Sequence, residues 1–274
     1  MSSLSELRDS RELLVNLTMR EVRSKYKRTA LGQGWSLLNP LANLAIFTLV
    51  FGVLLGAKPP AGDPSGIDVF ALWLATGLLP WTFFSGAMSA GMQSLLINAN
   101  LMKKVYFPRE LLVGSTVFSF VVTFAIELGV LTVLLLLFGA NPLLWLPLVV
   151  VAVALLTIFA LGLSLVLAIG NVYFRDTSYL VALGLQLWFY LTPIVYPASL
   201  VKDKIAARGS SLPLETLYGM NPMERFVGLF RALLYDNRMP DWQDWLGAGL
   251  SAAISLAVGA FVFRRFSARL VEEL

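Results

Sequence analysis

The side chains able to do chemistry in this chain are few, and two of the commonest are missing. With no histidine and no cysteine, His-based acid–base catalysis, His/Cys metal centres, haem ligation and disulfide bonds are excluded. No G-x-x-x-x-G-K-[ST] phosphate loop occurs, and the His-dependent hydrolase and zinc-protease motifs cannot be built. What remains is Glu127, set between Ile126 and Leu128 deep in a long apolar run. An ionisable group at such a depth is costly unless it faces protein or water, which makes it a functional hypothesis by default. The plainer reading is a protonated carboxyl hydrogen-bonded at a helix or subunit contact, because no basic residue falls in another apolar run to pair with it. A proton relay needs several ionisable groups at that depth, and the sequence offers one.

The elements that must carry Glu127 decide the class. The chain has 274 residues, of which 57% are hydrophobic and 14% charged, with a mean hydropathy of +0.74. A soluble domain carries about a quarter charged residues, and one core cannot hide this much apolar surface. The chain therefore reads as an integral membrane protein. A helix rises about 1.5 Å per residue, so roughly 20 apolar residues cross the hydrocarbon core. Six stretches qualify: Trp35 to Ala57, Val69 to Leu96 with Pro80 a candidate kink, Leu111 to Phe138, Leu143 to Ile169, Thr177 to Tyr196, and Trp242 to Phe263. Asn141-Pro142 reads as a tight turn. The first apolar stretch starts too late and runs too long for a signal peptide.

Loop charge sets the orientation. Fourteen Lys and Arg fall in the N-terminal segment, the second and fourth loops and the C-terminal tail, against Lys58 alone in the short loops opposite. The long fifth loop balances six bases with six acids and weighs little. Both termini are expected in the cytoplasm. This asymmetry also explains the net charge of +4 without a nucleic-acid partner.

Three connections carry more information than the spans. Ser10 to Thr29 alternates Leu13, Leu14, Leu17, Val22 and Tyr26 with Arg, Lys and Glu, as suits a helix lying in the membrane interface. It is a simple anchor, or it also braces a partner. In the second loop, Leu101, Met102, Val105, Tyr106 and Phe107 accompany Lys103 and Lys104. Five apolar residues expected to be exposed suggest docking, unless they only extend the second span into the interface. In the fifth loop, Phe226, Leu229, Phe230, Leu233 and Leu234 form a helical stripe with Glu224, Arg225 and Arg231 as polar companions. Such a stripe is expected to dip back into the bilayer or pack on the bundle mouth.

Aromatic residues are frequent in and near the spans, including Phe70, Trp73, Trp188, Phe189, Tyr190 and Tyr196. Taken singly, each suits lipid, core or the interfacial belt. Together they also suit a path for sugars, whose C–H faces stack on rings. With enzyme motifs, a proton relay and a channel filter all lacking, a permease driven by a separate ATPase fits best.

Five stretches in order resemble a known family. They are R-E-V-R-S-K-Y-K-R-T-A-L-G-Q-G-W-S-L-L-N-P from Arg20 to Pro40, G-L-L-P-W-T-F-F from Gly77 to Phe84, N-V-Y-F-R-D from Asn171 to Asp176, L-T-P-I-V-Y-P from Leu191 to Pro197, and the Asn221-Pro222 segment ending in Arg231. The chain is similar over nearly its whole length to membrane subunits of bacterial polysaccharide ABC exporters, the O-antigen, capsule and teichoic-acid permeases of the type 2 group. The resemblance implies an all-α, single-domain permease (1–274). An N-terminal interface helix (1–34) precedes a six-span bundle (35–263) and a cytoplasmic tail (264–274), with a cytoplasmic coupling helix and a re-entrant segment before the last span.

It further implies a homodimer in the bacterial cytoplasmic membrane, bound to two ATPase subunits and exporting a lipid-linked glycan. No cofactor is expected on this chain, and ATP and Mg belong to the partner ATPase. Coupling contacts are expected at Arg23, Tyr26, Asn98, Leu101, Met102, Lys103, Val105, Tyr106 and Phe107. An inner gate is expected at Tyr173, Phe174, Arg175 and Asp176, and an outer gate at Pro222, Phe226, Phe230 and Arg231. The channel lining is expected at Phe70, Trp73, Trp188, Phe189, Tyr190 and Tyr196. A drug or small-substrate ABC exporter and a membrane glycan-assembly factor are the rival readings.

Overall fold

The computed structural model describes residues 4–25, 32, 34–54, 56–104, 107–201 and 218–267, and every regular element among them is helical. Helix α1 covers Leu4–Lys25 and α2 covers Gly34–Phe47, continuing as a π-helical turn through Thr48–Leu54. Then come α3 (Phe70–Ile97), the single turn α4 (Ala99–Met102) and α5 (Glu110–Leu137). After a 3-10 turn at Pro142–Trp145 follow α6 (Leu146–Tyr173) and α7 (Thr177–Leu191). Helix α8 spans Pro222–Phe230 and widens into a π turn over Arg231–Asp236, and α9 is Trp242–Phe266.

All six expected apolar stretches are helical, and four are long and apolar enough to cross a bilayer: Phe70–Ile97, Glu110–Leu137, Pro142–Tyr173 and Trp242–Phe266. The other two are shorter. The first runs helically from Gly34 to Leu54 with a change of pitch. The fifth was expected to reach Tyr196, but α7 stops at Leu191 after 15 residues. Pro193 explains the stop: it has no N–H to donate and biases Thr192 away from helical angles. Thr192 is indeed extended, at φ −98° and ψ 136°. Helix α3 continues through Pro80.

Helix α3 is the hub. Its residues from Leu72 to Trp81 are all buried, as befits a helix apolar on every face, and it packs on α5, α6, α7 and α8. The main core gathers around it, with Phe84, Phe124, Leu156, Phe226 and Leu233 fully enclosed. A second cluster, including Leu17, Leu95, Met102, Leu112, Ile169 and Phe263, closes the bundle end beside α1 and α4. Helices α6 and α9 meet backbone to backbone. A Cβ at Gly162 collides with the Ser255 backbone and one at Gly259 with that of Gly162, and Ser255 Oγ donates to Phe159 O at 2.9 Å. In a membrane, where lipid is as apolar as leucine, small residues permit the close contact that holds helices together.

Candidate coupling and gate sites

At the end where α1 crosses α5, Leu17 and Val22 are buried and Leu14 lies against Gly114. Arg20 Nη2 donates to Asn98 Oδ1 at 2.7 Å and pairs with Glu21 at 2.9 Å. Asn98 closes α3, and its Nδ2 donates to Ser94 O at 2.9 Å. The interface helix and the second loop are thus joined directly. Among the described residues of the loop, the apolar side chains are at least partly covered. Met102 is buried, and Leu101 and Phe107 pack on the second cluster, leaving Lys103 and Lys104 exposed. Leu17 of α1 belongs to the same apolar cluster as Met102. Arg23 is exposed on α1, while Tyr26, Val105 and Tyr106 lie outside the described residues.

The four expected inner-gate residues divide. Tyr173 ends α6 with its ring edge-on to Phe266 at 6.3 Å. Phe174, Arg175 and Asp176 form the exposed turn into α7, and Phe174 is 73% accessible.

At the opposite end, Asn221 does four jobs. Its Oδ1 accepts from Met223 N–H at 3.1 Å, capping α8, and from Trp188 Nε1–H at 2.8 Å. Its Nδ2 donates to Leu191 O and Thr192 Oγ1, both at 3.2 Å. Pro222 then sits in the first turn, where its missing N–H costs nothing. Phe226 and Phe230 are fully buried, Phe226 stacked on Phe159 at 5.6 Å and Phe230 edge-on to Phe124 at 5.8 Å. Arg231 donates from Nη1 to Pro193 O at 2.6 Å and from Nη2 to Ile194 O at 2.7 Å. Its guanidinium lies 3.9 Å above the Trp73 ring. The carbonyls released where α7 breaks are therefore satisfied by α8, as a broken helix at membrane depth requires. Arg225 pairs with Asp244 of α9 at 2.8 Å, and Tyr235 donates to Ile67 O at 2.7 Å. A cavity of about 240 Å³ opens here, lined by Trp73, Glu224, Arg231, Asp236 and Arg238 among others. Burial raises the Asp236 carboxyl above its ordinary range, against the pull of Arg238.

The expected channel aromatics separate by burial. Phe70 and Trp73 are enclosed in the chain's own core. Trp188 and Phe189 are half-buried against Trp81. Tyr196 donates to Tyr190 O at 2.8 Å, and Tyr190 is 61% exposed on α7. Of the six, Tyr190 alone presents a widely open ring.

Sequence reasoning missed the partner of Glu127. That side chain is buried and lines a cavity of about 30 Å³ with Leu41, Leu44 and Leu78. The cation nearest in kind comes from α1, not from a span: Lys25 Nζ sits 3.3 Å above the Phe120 ring, and the charges of Lys25 and Glu127 act on one another. The signal lay in the spacing, since Phe120 and Glu127 are seven residues apart on one helix face.

Comparison with known proteins matches this arrangement to a family. The ABC-2 type transporter model covers residues 12–235. An O-antigen export system permease protein of Myxococcus xanthus is 31% identical over 258 residues, 94% of each chain. A Klebsiella pneumoniae protein of the same description is 31% identical over 199 residues, covering 71% of this chain and 73% of its own. Another from Klebsiella pneumoniae is 27% identical over 264 residues, 96% of this chain and 95% of that one. A match that takes in the interface helix, the second loop and the α8 segment alike is a match of the whole architecture, and the chain belongs to the ABC-2 type transporter family of membrane proteins.

Proposed function

We propose that this chain is the transmembrane permease of an ATP-driven exporter of a lipid-linked polysaccharide of the O-antigen kind. The observation that carries this reading is the likeness to an O-antigen export permease over 94% of both chains. In the same reading, α2 with its continuation and α7 are the first and fifth of six crossings, and both termini are cytoplasmic. Two copies enclose the route, and an ATPase subunit docks on each at α1 and the second loop, where Arg20 and Asn98 join the two. ATP and Mg bind the ATPase and leave this chain to conduct. The exposed turn Phe174 to Asp176 closes the inner side and α8 the outer. Helix α8 is supported in that role by its position: it is apolar and buried, yet anchored by Asn221 and Arg231 to the broken end of α7. Tyr190, open to its surroundings, is the first candidate to meet sugar.

Co-expression with a candidate ABC ATPase subunit tests the proposal. The two proteins purify together, and vesicles containing them expose lipid-linked glycan on the far face only when ATP is supplied. Isolation of the permease without any ATPase, or ATP-driven movement of a dye in place of glycan, rejects it.

A further inference from the structure

Glu127 is left unused by the gate and coupling sites, and its surroundings are specific. It is 7% exposed, in the second half of a 28-residue apolar helix. No hydrogen bond or ion pair within 4 Å is formed by its carboxylate among the described residues. Leu41, Leu44, Ala75, Leu78, Leu79 and Leu131 surround the small cavity it lines, and all are apolar. An isolated carboxylate in such walls is unfavourable by several kcal/mol, roughly the effective penalty for an unpaired buried ion.

Lys25 has the complementary problem. It is the last residue of α1, and its Nζ is buried without a hydrogen-bond acceptor among the described residues. The ammonium lies over the face of Phe120, 3.3 Å from the ring centroid. That contact fixes where the ammonium stands relative to Glu127. Seven residues make two helical turns, so Glu127 lies on the same face as Phe120, about 10 Å further along the axis. Helical side chains lean toward the N-terminus of their own helix. Glu127 therefore leans back toward Phe120, and toward the ammonium above it. Each group acts electrostatically on the other.

The geometry points to a latch: Lys25 of the interface helix and Glu127 of α5 act as a pair of positioning residues that carry movement of α1 to the middle of the membrane. Helix α1 is held at two places along its second half. Arg20 ties it to Asn98 at the second loop. Beyond Arg20, Lys25 ties it to α5 through Phe120, within electrostatic reach of Glu127. Beyond Lys25 the chain leads into α2, whose Leu41 and Leu44 line the same cavity as Glu127. A displacement of the second loop thus reaches α5 and the base of α2 through one rigid helix. Neither residue touches substrate.

The inference rests on the export reading for its functional arm only. In that arm, Lys25→Met, Glu127→Gln, the double variant and the exchange Lys25→Glu with Glu127→Lys are made in the complete exporter. Permease level, ATP hydrolysis and glycan export are recorded for each. Each single change lowers export per ATP hydrolysed by roughly tenfold, because it leaves one buried charge without its partner. The exchange recovers most of that loss, whereas the neutral double variant regains membrane level without regaining coupling. Export at the parent ratio in both single variants, or an exchange no better than the worse single, overturns the latch.

A second arm needs no transport. The chain has no cysteine of its own, so Lys25→Cys with Glu127→Cys in membranes reports proximity to a short bifunctional thiol reagent. Leu14→Cys with Gly114→Cys, whose parent residues are in contact, serves as the positive control. Cross-linking of both pairs supports the latch even if a charge variant fails to accumulate. Cross-linking of the control alone overturns it, whatever the exporter carries.

Discussion

Arg231 combines three contacts that ordinarily need several residues. Its two Nη groups satisfy the Pro193 and Ile194 carbonyls while its plane covers Trp73. A guanidinium fits this because it is planar and forked, whereas an ammonium is a point donor. Arg231→Lys should therefore keep the charge but lose one carbonyl, and Arg231→Met should lose both. Each carbonyl stranded in a buried site costs about 1–3 kcal/mol, so melting of the solubilised permease should fall in the order parent, Lys, Met. Equal melting of all three removes the clamp. Lys25 gives a second test at this scale. Burial lowers its ammonium to about 8 while the charges of Glu21 and Glu127 pull the other way. Because the folded value lies below the free one, the docked form of α1 gains stability as pH rises from about 8 toward the ordinary lysine range. Glu127→Gln removes one of the supporting charges, so the midpoint of amine labelling at Lys25 should move to lower pH. An unchanged or higher midpoint contradicts the contact. The sequence showed Arg231 as a polar residue on an apolar stripe and Glu127 as a lone acid. It did not show their partners, because both partners come from elements distant in the chain and only the fold brings them near.

At the scale of elements, apolar length and charge-free runs placed the six apolar helices to within a few residues, except where α7 ends early. The early end is encoded by Thr192-Pro193, a proline that cannot continue a helix after an extended residue. Which face each helix turns inward was harder to read. In a membrane the outward face is apolar too, so Trp73 and Tyr190 look alike as letters although one is enclosed and the other open. The second loop shows a similar ambiguity: Met102 and Phe107 read as a docking patch, and both join the apolar cluster that includes Leu17 of α1. The glycines of α6 and α9 make the packing testable. Gly259→Ala and Gly162→Ala each place a methyl group into opposing backbone. Backbone cannot step aside as a side-chain tip does, and overpacking costs about 1–3 kcal/mol or more. Both variants should accumulate poorly in membranes. Gly129→Ala on α5, where a Cβ meets nothing within 4 Å, should accumulate at least as well as the parent, since alanine favours helix by about 1 kcal/mol. Normal levels of the α6 and α9 variants count against the close crossing.

For the molecule as a whole, the charge asymmetry of the loops and the fold agree on which elements share an end. Asn98, Arg109, Tyr173 and the end of α9 gather at one pole, where Arg109 donates to the Ser267 carbonyl and Arg20 reaches Asn98. Ser65 and Asp236 meet at the other pole through a backbone hydrogen bond of 3.0 Å, in company with Asn237 and Asn141. The first pole holds the excess of Lys and Arg, and such an excess in short loops marks the cytoplasmic side. If α2 and α7 cross as the four long helices do, the number of crossings is even and the chain returns to the side on which it began. If α7 only dipped into the bilayer and came back, the chain would cross an odd number of times, and α8 and the first half of α3 could not share a pole as they do in the contact of Arg231 with Trp73. Single cysteines decide the matter cleanly in a chain that has none. Ser65→Cys in intact cells should react with a membrane-impermeant maleimide, and Ser267→Cys should react only after the membrane is opened. Labelling in the opposite sense reverses the orientation, and labelling of both from outside removes α7 from the set of crossings.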